Sequence, residues 1–239
     1  MNAEPVRTAR LTLEPLAVHH ATEMAEVLGD PALHTFIGGS PETPERLRDR
    51  YARLAAPPPP DRGESWLNWV IRLHAPDIGS DRLDDDPGSG SKGGSDSGSD
   101  PRAGGSDRLV GYVQATVAGD RATVAWVVGT PWQGRGIAGE AAVALVAWLR
   151  ERGTTTIVAT IHPDHTASSA VARRAGLTPT DGRVDGEVVW RSGQVRDRPP
   201  TTDRGSHEPW TVNGMDRVPR GPHGPWTRGR RGSHGPWTP

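Results

Sequence analysis

The chain has 239 residues, 33% of them hydrophobic, with 30 glycines, 23 prolines and a formal net charge of −1. This length suits one domain with additional segments, and the Gly and Pro content predicts that part of the chain does not fold. The near-zero charge argues against a strongly basic nucleic-acid-binding protein. The absence of cysteine excludes disulfides, thiolate metal sites and a cysteine nucleophile.

The N-terminal residues lack the apolar core of a signal peptide, and no apolar run approaches the roughly 20 residues that span a bilayer. We therefore expect a cytoplasmic protein without membrane contact. Two segments are predicted to be disordered, a Gly/Ser/Asp-rich insert at about residues 75–108 and a Pro/Gly/Arg/Trp tail at 196–239. The tail repeats a short Pro-Trp-Thr unit, and docking of a partner by its tryptophans is the less favoured interpretation.

The apolar periodicity of the remaining chain predicts alternating strands and helices. In chain order these are a strand at 10–16, helices at 17–30 and 43–55, strands at 65–74, 109–117 and 120–129, a helix at about 136–151, a strand at 154–162, a helix at 166–177, and strands that end with 186–192. Thr43-Pro44 is typical of a helix start and Gly176 of a helix end. The order predicts an α/β (α+β) domain with a mixed, mostly antiparallel central sheet and helices on both faces.

The segment WQGRGIAGEA, residues 132–141, joins a predicted strand to a predicted helix. Amide groups in the first turn of a helix lack intrahelical partners and carry partial positive charge. Small residues in this turn let an anion approach those amides, and Arg135 adds a permanent charge. The segment therefore predicts a pyrophosphate-sized anion site, with a plain helix-capping turn as the structural alternative. It lacks the motifs of a P-loop or of a dinucleotide fold.

The run WVVGTPWQGRGIAGEA and the order of elements resemble the GNAT superfamily of acyl-CoA N-acyltransferases, over about residues 8–192 without the insert. The likeness is greatest to ribosomal-protein N-terminal alanine and serine acetyltransferases. It implies the GNAT fold for an N-acetyltransferase domain at 8–195. It also implies direct transfer, in a ternary complex, of an acetyl group from acetyl-CoA to a primary amine, either a protein N-terminus or a small molecule. No metal, nucleic acid or membrane is expected to take part, and the implied assembly is a monomer or homodimer.

The resemblance also implies which residues bind the cofactor. The strand before the loop is expected to carry a bulge and to splay from its neighbour, so that its backbone groups bond the pantetheine arm. His165 stands where the family usually has asparagine, and it can replace that residue only in the right tautomer. The cofactor-binding residues implied in this way are Val127, Val128, Gln133, Gly134, Arg135, Gly136, Ile137, Ala138, Gly139, His165 and Ser168.

Ser168 is the implied catalytic acid, because the tyrosine that serves some family members is replaced here by Ala172. Glu187, on the last strand, is the candidate base, with Glu14 and Glu140 as alternatives. A solvated strand edge is the structural alternative for Glu187. An α-amine with a pKa near ~7.8 is partly neutral at physiological pH and needs only a weakly placed base or a water. A lysine amine, with a pKa near ~10.4, needs a stronger one.

Two other functions stay open. One is a GNAT-fold protein that binds acyl-CoA without catalysis, which the missing tyrosine and His165 would explain. The other is a helix-turn-helix DNA-binding regulator, since VARRAGL within 166–184 is common in such turns. A recognition helix should then follow, but Pro179 and Gly182 indicate strands instead.

Three further features bear on the acceptor. His162 and His165 with no other obvious ligand are weak support for a metal site. The acceptor pocket is expected to involve residues 31–44, where Phe36, the only phenylalanine, lies either in the pocket or in the core. By strand order, the acidic insert is expected at the same edge of the sheet as the glycine-rich segment.

Overall fold

The computed structural model describes residues 1–56, 63–75 and 107–192. The predicted tail and all but the ends of the predicted insert lie outside these residues. The strands are β1 (Val6–Arg7), β2 (Leu11–Pro15), β3 (Glu64–Leu73), β4 (Arg108–Ala118), β5 (Arg121–Val128), β6 (Thr156–Ile161), β7 (Leu177–Val184) and β8 (Glu187–Ser192). The helices are α1 (Ala21–Val27), α2 (His34–Ile37), α3 (Pro44–Ala55), α4 (Ile137–Glu151) and α5 (Thr166–Arg174).

The described strands form one sheet in the order β1-β2-β3-β4-β5-β6-β8-β7. Only β5 and β6 run parallel; the other neighbours are antiparallel. This arrangement confirms the predicted mixed, mostly antiparallel sheet.

Helices cover both faces of the sheet, as predicted, and each face has its own core. Alternation along β3 shows why, because successive side chains of a strand point to opposite faces. Trp69 and Ile71 pack with α4 and α5, whereas Val70 between them packs with α1 and α3. Apolar residues on both sides of one strand thus bury two helical layers.

Local signals in the sequence locate several element boundaries correctly. The Thr43 hydroxyl accepts a hydrogen bond from the Arg46 amide at 3.4 Å at the start of α3. Gly176 follows α5 with φ +80°, a left-handed conformation that glycine adopts without strain. The sequence did not predict β1 or α2, because two and four residues are too short to show periodicity.

The residues that flank the insert lie where the sequence predicted them. Leu73 pairs with Arg108, and the Ala75 amide donates to Asp107 Oδ1 at 2.9 Å. The His74 amide donates to Arg10 O at 2.9 Å. Because the start of β4 lies beside the end of β5, these residues share an edge of the sheet with the segment that begins α4.

The helix-turn-helix interpretation is wrong. The segment after α5 does not form a recognition helix but enters β7, which pairs with β8. Pro179 and Gly182 both lie within β7. No helix in the described part of the chain has the length and apolar character that a membrane span requires.

Candidate functional site

A groove opens between the two parallel strands at the centre of the sheet. β5 and β6 pair only from Arg121–Thr156 to Thr123–Val158 and then separate. The groove beyond this point has about 530 Å³ of empty space, part of it open to solvent, between Val124–Val127 of β5 and Ala159–Ile161 of β6. The splay implied by the family resemblance is therefore present.

The backbone of β5 presents every second residue to this groove. Asp120 O accepts from the Thr155 amide at 2.8 Å, so Asp120 faces the β6 side. The Gly129 amide donates to Val110 O at 2.9 Å, so Gly129 faces the β4 side. Since bonding direction alternates along an antiparallel strand, the even-numbered residues of β5 turn their N–H and C=O groups toward the groove. Within the splayed part these residues are Val124, Trp126 and Val128.

Val127 was expected from the family resemblance to bond the cofactor through its backbone, but its backbone turns away from the groove. Its carbonyl oxygen lies so close to Gly111 of β4 that a Cβ there would meet it at 2.1 Å. The β4–β5 register is continuous from Gly111–Val128 to Ala118–Arg121, so no bulge interrupts β5. The bulge lies instead between β3 and β4, next to Ile71. The Val127 backbone is thus directed to β4. The backbone of Trp126 occupies the groove-facing position that was expected for Val127.

The segment Gln133–Gly139, called the phosphate loop below, forms an open cradle at the start of α4. Gly134 and Gly136 have φ values of +74° and +75°, and Gly136 is the N-cap. A Cβ on Gly134 would meet nothing within 4 Å, so space remains above the amides of the first turn. Arg135 is exposed. Such a turn attracts an anion through its unpaired amides and the helix dipole.

The Gln133 side chain holds the phosphate loop in place. Its Nε2 donates to Val128 O at 3.0 Å, which ties the loop to the end of β5. Gln133 was expected to bind the cofactor, and its side chain instead contacts the protein's own backbone.

A network of contacts fixes the other side of the loop to the turn between β1 and β2. Glu140 accepts from the Thr8 hydroxyl at 2.6 Å and from Arg10 Nε at 2.8 Å. Arg10 Nη1 also donates to Arg135 O at 3.2 Å. Burial pushes the pKa of Glu140 upward, but the bonds from Thr8 and Arg10 outweigh it and lower that pKa below its ordinary value. Glu140 is therefore a structural anion rather than a base.

A second arginine crosses the first turn of α4. The Arg174 side chain runs over Gly139, where a Cβ would meet Arg174 Cδ at 2.6 Å. Gly139 thus leaves room for the Arg174 side chain to lie against α4. The exposed guanidinium of Arg174 adds positive charge beside the phosphate loop.

The other wall of the groove, called the acceptor wall below, consists of Phe36, Thr160, His162, His165, Ser168 and Glu187. The rings of Phe36 and His165 are stacked with centroids 4.1 Å apart, and His162 lies 5.9 Å from Phe36. Phe36 thus lies in the pocket, 39% exposed, rather than in the core. Burial, with a smaller contribution from His162, lowers the pKa of His165, so its imidazole is neutral near pH 7.

Two buried polar atoms of the acceptor wall have no hydrogen-bond partner among the described residues. They are Glu187 Oε2 and Thr160 Oγ1. Thr160 pairs with Val189, two residues along β8 from Glu187, so both side chains emerge from the same face of the sheet. Buried polar atoms without partners are rare in folded proteins. Four further such atoms, on Glu42, Tyr51, Trp148 and Thr154, lie outside the groove, whereas these two lie where a ligand in the groove could bond them.

Glu14, the remaining alternative base, lies elsewhere. It is on β2, outside the residues that line the groove, and accepts from Arg72 at 2.7 and 3.1 Å. The hydrogen bond from Arg72, opposed by burial, lowers the pKa of Glu14. Of the three candidate carboxylates, only Glu187 lines the groove.

Sequence reasoning missed Thr8, Arg10, Arg174, Thr160 and Gly111. A glycine inside a β-strand signals close backbone approach, so Gly111 could have been found. The others carry no local signal, because each acts through residues distant in the sequence. Among residues 1–56, 63–75 and 107–192, no cluster of three His, Asp or Glu side chains suits a metal ion.

Comparisons with known proteins place this geometry in context. The acetyltransferase (GNAT) domain family matches residues 10–178 of the chain. No curated protein matches it in sequence. An acetyltransferase from Agrobacterium tumefaciens strain C58 shares 24% identity at a TM-score of 0.53, over 81% of this chain and 96% of its own.

Two further structures have the same fold and were solved with a coenzyme. RimL, the ribosomal L7/L12 alpha-N-protein acetyltransferase, in complex with coenzyme A, is 16% identical at a TM-score of 0.55, over 79% of this chain and 97% of its own. The microcin C7 self immunity acetyltransferase MccE, in complex with acetyl-CoA and AMP, is 14% identical at a TM-score of 0.53, over 77% and 93%. At these identities the likeness concerns the fold.

Proposed function

Because the chain belongs to the GNAT family of acetyltransferases, we propose that it moves an acetyl group from acetyl-CoA to a primary amine in the groove between β5 and β6. The observation that carries this proposal is the separation of β5 from β6 directly before the phosphate loop. It leaves a slot with backbone groups on one side and buried, unpartnered polar atoms on the other. Acetyl-CoA, when bound, supplies an acetyl group activated as a thioester.

The phosphate loop fits the diphosphate of coenzyme A. The open space above Gly134 lets an anion reach the amides of Ile137, Ala138 and Gly139, and a Cβ on Gly136 would lie 3.7 Å from Arg10 Nη2. Arg135 and Arg174 add positive charge at the same turn. The groove-facing backbone groups of Trp126 and the amide of Val128 suit the amides of an extended arm, in the way that an added strand pairs with a free edge.

Glu187 and Ser168 are the proposed catalytic residues. Glu187 Oε2 takes the proton that the acceptor nitrogen releases as it forms the new bond. Ser168 Oγ supplies a proton to the leaving group and recovers one from solvent. His165 lines the same wall as a neutral imidazole, stacked on Phe36. Positioned acids and bases of this kind contribute roughly 10²–10⁴-fold to a rate.

The proposed acceptor is the α-amine of a protein or a small amine. An α-amine has a pKa near ~7.8 and is partly neutral at physiological pH, so its reaction does not depend on a strong base. RimL, which shares the fold, is an alpha-N-protein acetyltransferase, and this supports a protein N-terminus.

The test is an acetyl-transfer assay on the full chain with a panel of amines, comparing wild type with Glu187→Gln and Ser168→Ala. We expect kcat to fall by about 100-fold for Glu187→Gln while the Kd for acetyl-CoA stays unchanged. The matched control is Asp185→Asn, which neutralises an exposed carboxylate in the turn between β7 and β8. Full activity of Glu187→Gln would remove the proposed base, and binding of acetyl-CoA without transfer to any amine would favour a non-catalytic acyl-CoA-binding protein.

A further inference from the structure

The acceptor wall has one carboxylate and no lysine or arginine among the described residues that line it. Its ionisable side chains are Glu187 and the two histidines. Burial keeps the imidazole of His165 neutral near pH 7, so it does not supply a cation. His162 Nδ1 lies 3.2 Å from the Asp164 amide and 3.8 Å from Asp164 Oδ2, so the contacts of this nitrogen are with Asp164.

The arginines on the neighbouring elements are directed elsewhere. Arg183 pairs with Val188 and so lies on the opposite face of the sheet from Glu187, with Nη1 donating to Gly186 O at 3.1 Å. Arg191 shares the Glu187 face of β8 but lies four residues further along, about 13 Å away. The guanidinium of Arg173, on α5, lies 5.1 Å over the Trp190 ring. None of these cations is placed to hold an anion beside Glu187.

The buried polar atoms of the acceptor wall, which lack partners among the described residues, indicate which groups a ligand must offer. Glu187 Oε2 accepts but does not donate when ionised, so it calls for an N–H donor such as an amine. The Thr160 hydroxyl emerges on the same face and can donate to an uncharged carbonyl oxygen. A carboxylate in that position would instead meet the charge of Glu187 in a partly buried groove, where like charges repel strongly.

We infer that the acceptor is a primary amine whose neighbouring carbonyl belongs to an amide and not to a carboxylate, and that Glu187 discriminates against free amino acids. This inference rests on the proposed function and narrows it. The neutral amine donates an N–H to Glu187 Oε2, which takes a proton from that nitrogen as the new bond forms, and the amide carbonyl accepts from Thr160 Oγ1. Peptide N-termini and amino-acid amides offer an N–H to Glu187 Oε2 and a carbonyl oxygen to Thr160 Oγ1. A free amino acid offers the N–H, but its carboxylate is repelled by the charge of Glu187.

The test compares alaninamide with free alanine as acceptors for the full chain at saturating acetyl-CoA. Because the two amines differ in pKa, kcat/KM is expressed per concentration of neutral amine, from each compound's own titration. We expect wild type to prefer alaninamide by at least about tenfold. In Glu187→Gln that ratio should fall toward one. Loss of a base lowers kcat for both acceptors, whereas loss of a role in specificity lowers the KM for alanine, so the two roles are separated by reading kcat and KM individually.

Two variants make the comparison decisive. Asp185→Asn removes a carboxylate from the same hairpin outside the groove and should keep the wild-type ratio. Thr160→Val should lower the rate with alaninamide more than the rate with alanine. Equal use of alanine by wild type, or a ratio unchanged in Glu187→Gln, would overturn the inference while leaving the acetyltransferase proposal intact. Bound acetyl-CoA without transfer to either amine would overturn both.

Discussion

The phosphate loop and the acceptor wall lie on two sides of one groove and differ in how their polar groups are bonded. The loop is tied at both ends, by Gln133 to β5 and by Arg10 and Glu140 to the turn before β2. The acceptor wall keeps Glu187 Oε2 and Thr160 Oγ1 buried without partners in the part of the chain that the structure describes. A satisfied network is rigid and holds one shape, whereas unsatisfied groups gain most from a matching ligand.

This difference indicates where binding and selection occur. A preorganised loop suits a co-substrate that is the same in every turnover, because little ordering is needed on binding. An unsatisfied wall discriminates, because a wrong acceptor leaves its polar atoms buried and unpaired. The following predictions test each side separately.

The largest effect is expected for Gly111→Ala, which tests whether the path of β5 along the groove depends on close backbone contact. The new Cβ would meet Val127 O at 2.1 Å and Val128 Cα at 2.9 Å, both backbone atoms that cannot move aside. We expect the free energy of unfolding to fall by about 3 kcal/mol in urea denaturation. In the control Gly182→Ala, the new Cβ meets side-chain atoms alone, the Thr180 hydroxyl at 3.3 Å and Val189 at 3.6 Å. Equal stability of the two variants would contradict this account of the β4–β5 contact.

A smaller effect is expected for Glu140→Gln, which tests the network on the loop side. The change removes the charge that holds Arg10, and Arg10 in turn bonds the Arg135 carbonyl. Because Arg10 is 49% exposed, we expect a stability loss of only about 1 kcal/mol, with a Kd for acetyl-CoA weaker by about fivefold. Glu151→Gln, at the other end of α4, is the control, because that carboxylate is 73% exposed. An unchanged Kd in Glu140→Gln would show that the loop does not depend on this network.

The smallest effect concerns the pH response of the acceptor wall. Burial lowers the pKa of His165 in the folded protein, so the unfolded chain, with a pKa near ~6.5, takes up the proton first as pH falls. The stability associated with His165 is therefore complete above about pH 6.5 and lost below it. His165→Asn should lose less stability than wild type between about pH 7 and 5, measured by urea denaturation at each pH. His20, whose pKa burial also lowers, is present in both proteins and cancels. Parallel curves would mean that His165 titrates as it does in the unfolded chain.

The sequence predicted the phosphate loop better than the acceptor wall, and the reason is physical. The loop is contiguous, and its glycines, first-turn amides and flanking strand and helix all lie within residues 121–151. Its conformation follows from local backbone preferences, as with Gly136 at φ +75°. The separation of β5 from β6 was predicted from the family resemblance and not from the apolar periodicity.

The acceptor wall depends on contacts between distant segments. The stack of Phe36 on His165 joins residues 129 positions apart, and no local pattern encodes such a contact. Glu187 was predicted as a candidate base from its place on the last strand, with a solvated strand edge as the alternative. Its unpartnered oxygen, like that of Thr160, follows from packing that sequence periodicity does not describe. The hydrogen bond of Gln133 to the β5 backbone was also not predictable, because a polar side chain in a loop can bond either the backbone or a ligand.

The most direct test of the central claim is calorimetric titration of acetyl-CoA into wild type, Gly136→Asp and Gly136→Asn. Asp and Asn have the same shape and both tolerate a positive φ, so the pair isolates charge at the N-cap of α4. We predict that Gly136→Asp weakens binding by about 100-fold through repulsion of the diphosphate, while Gly136→Asn stays within about fivefold of wild type. Equal affinities for the two variants, or no binding to folded wild type, would contradict the assignment of the phosphate loop.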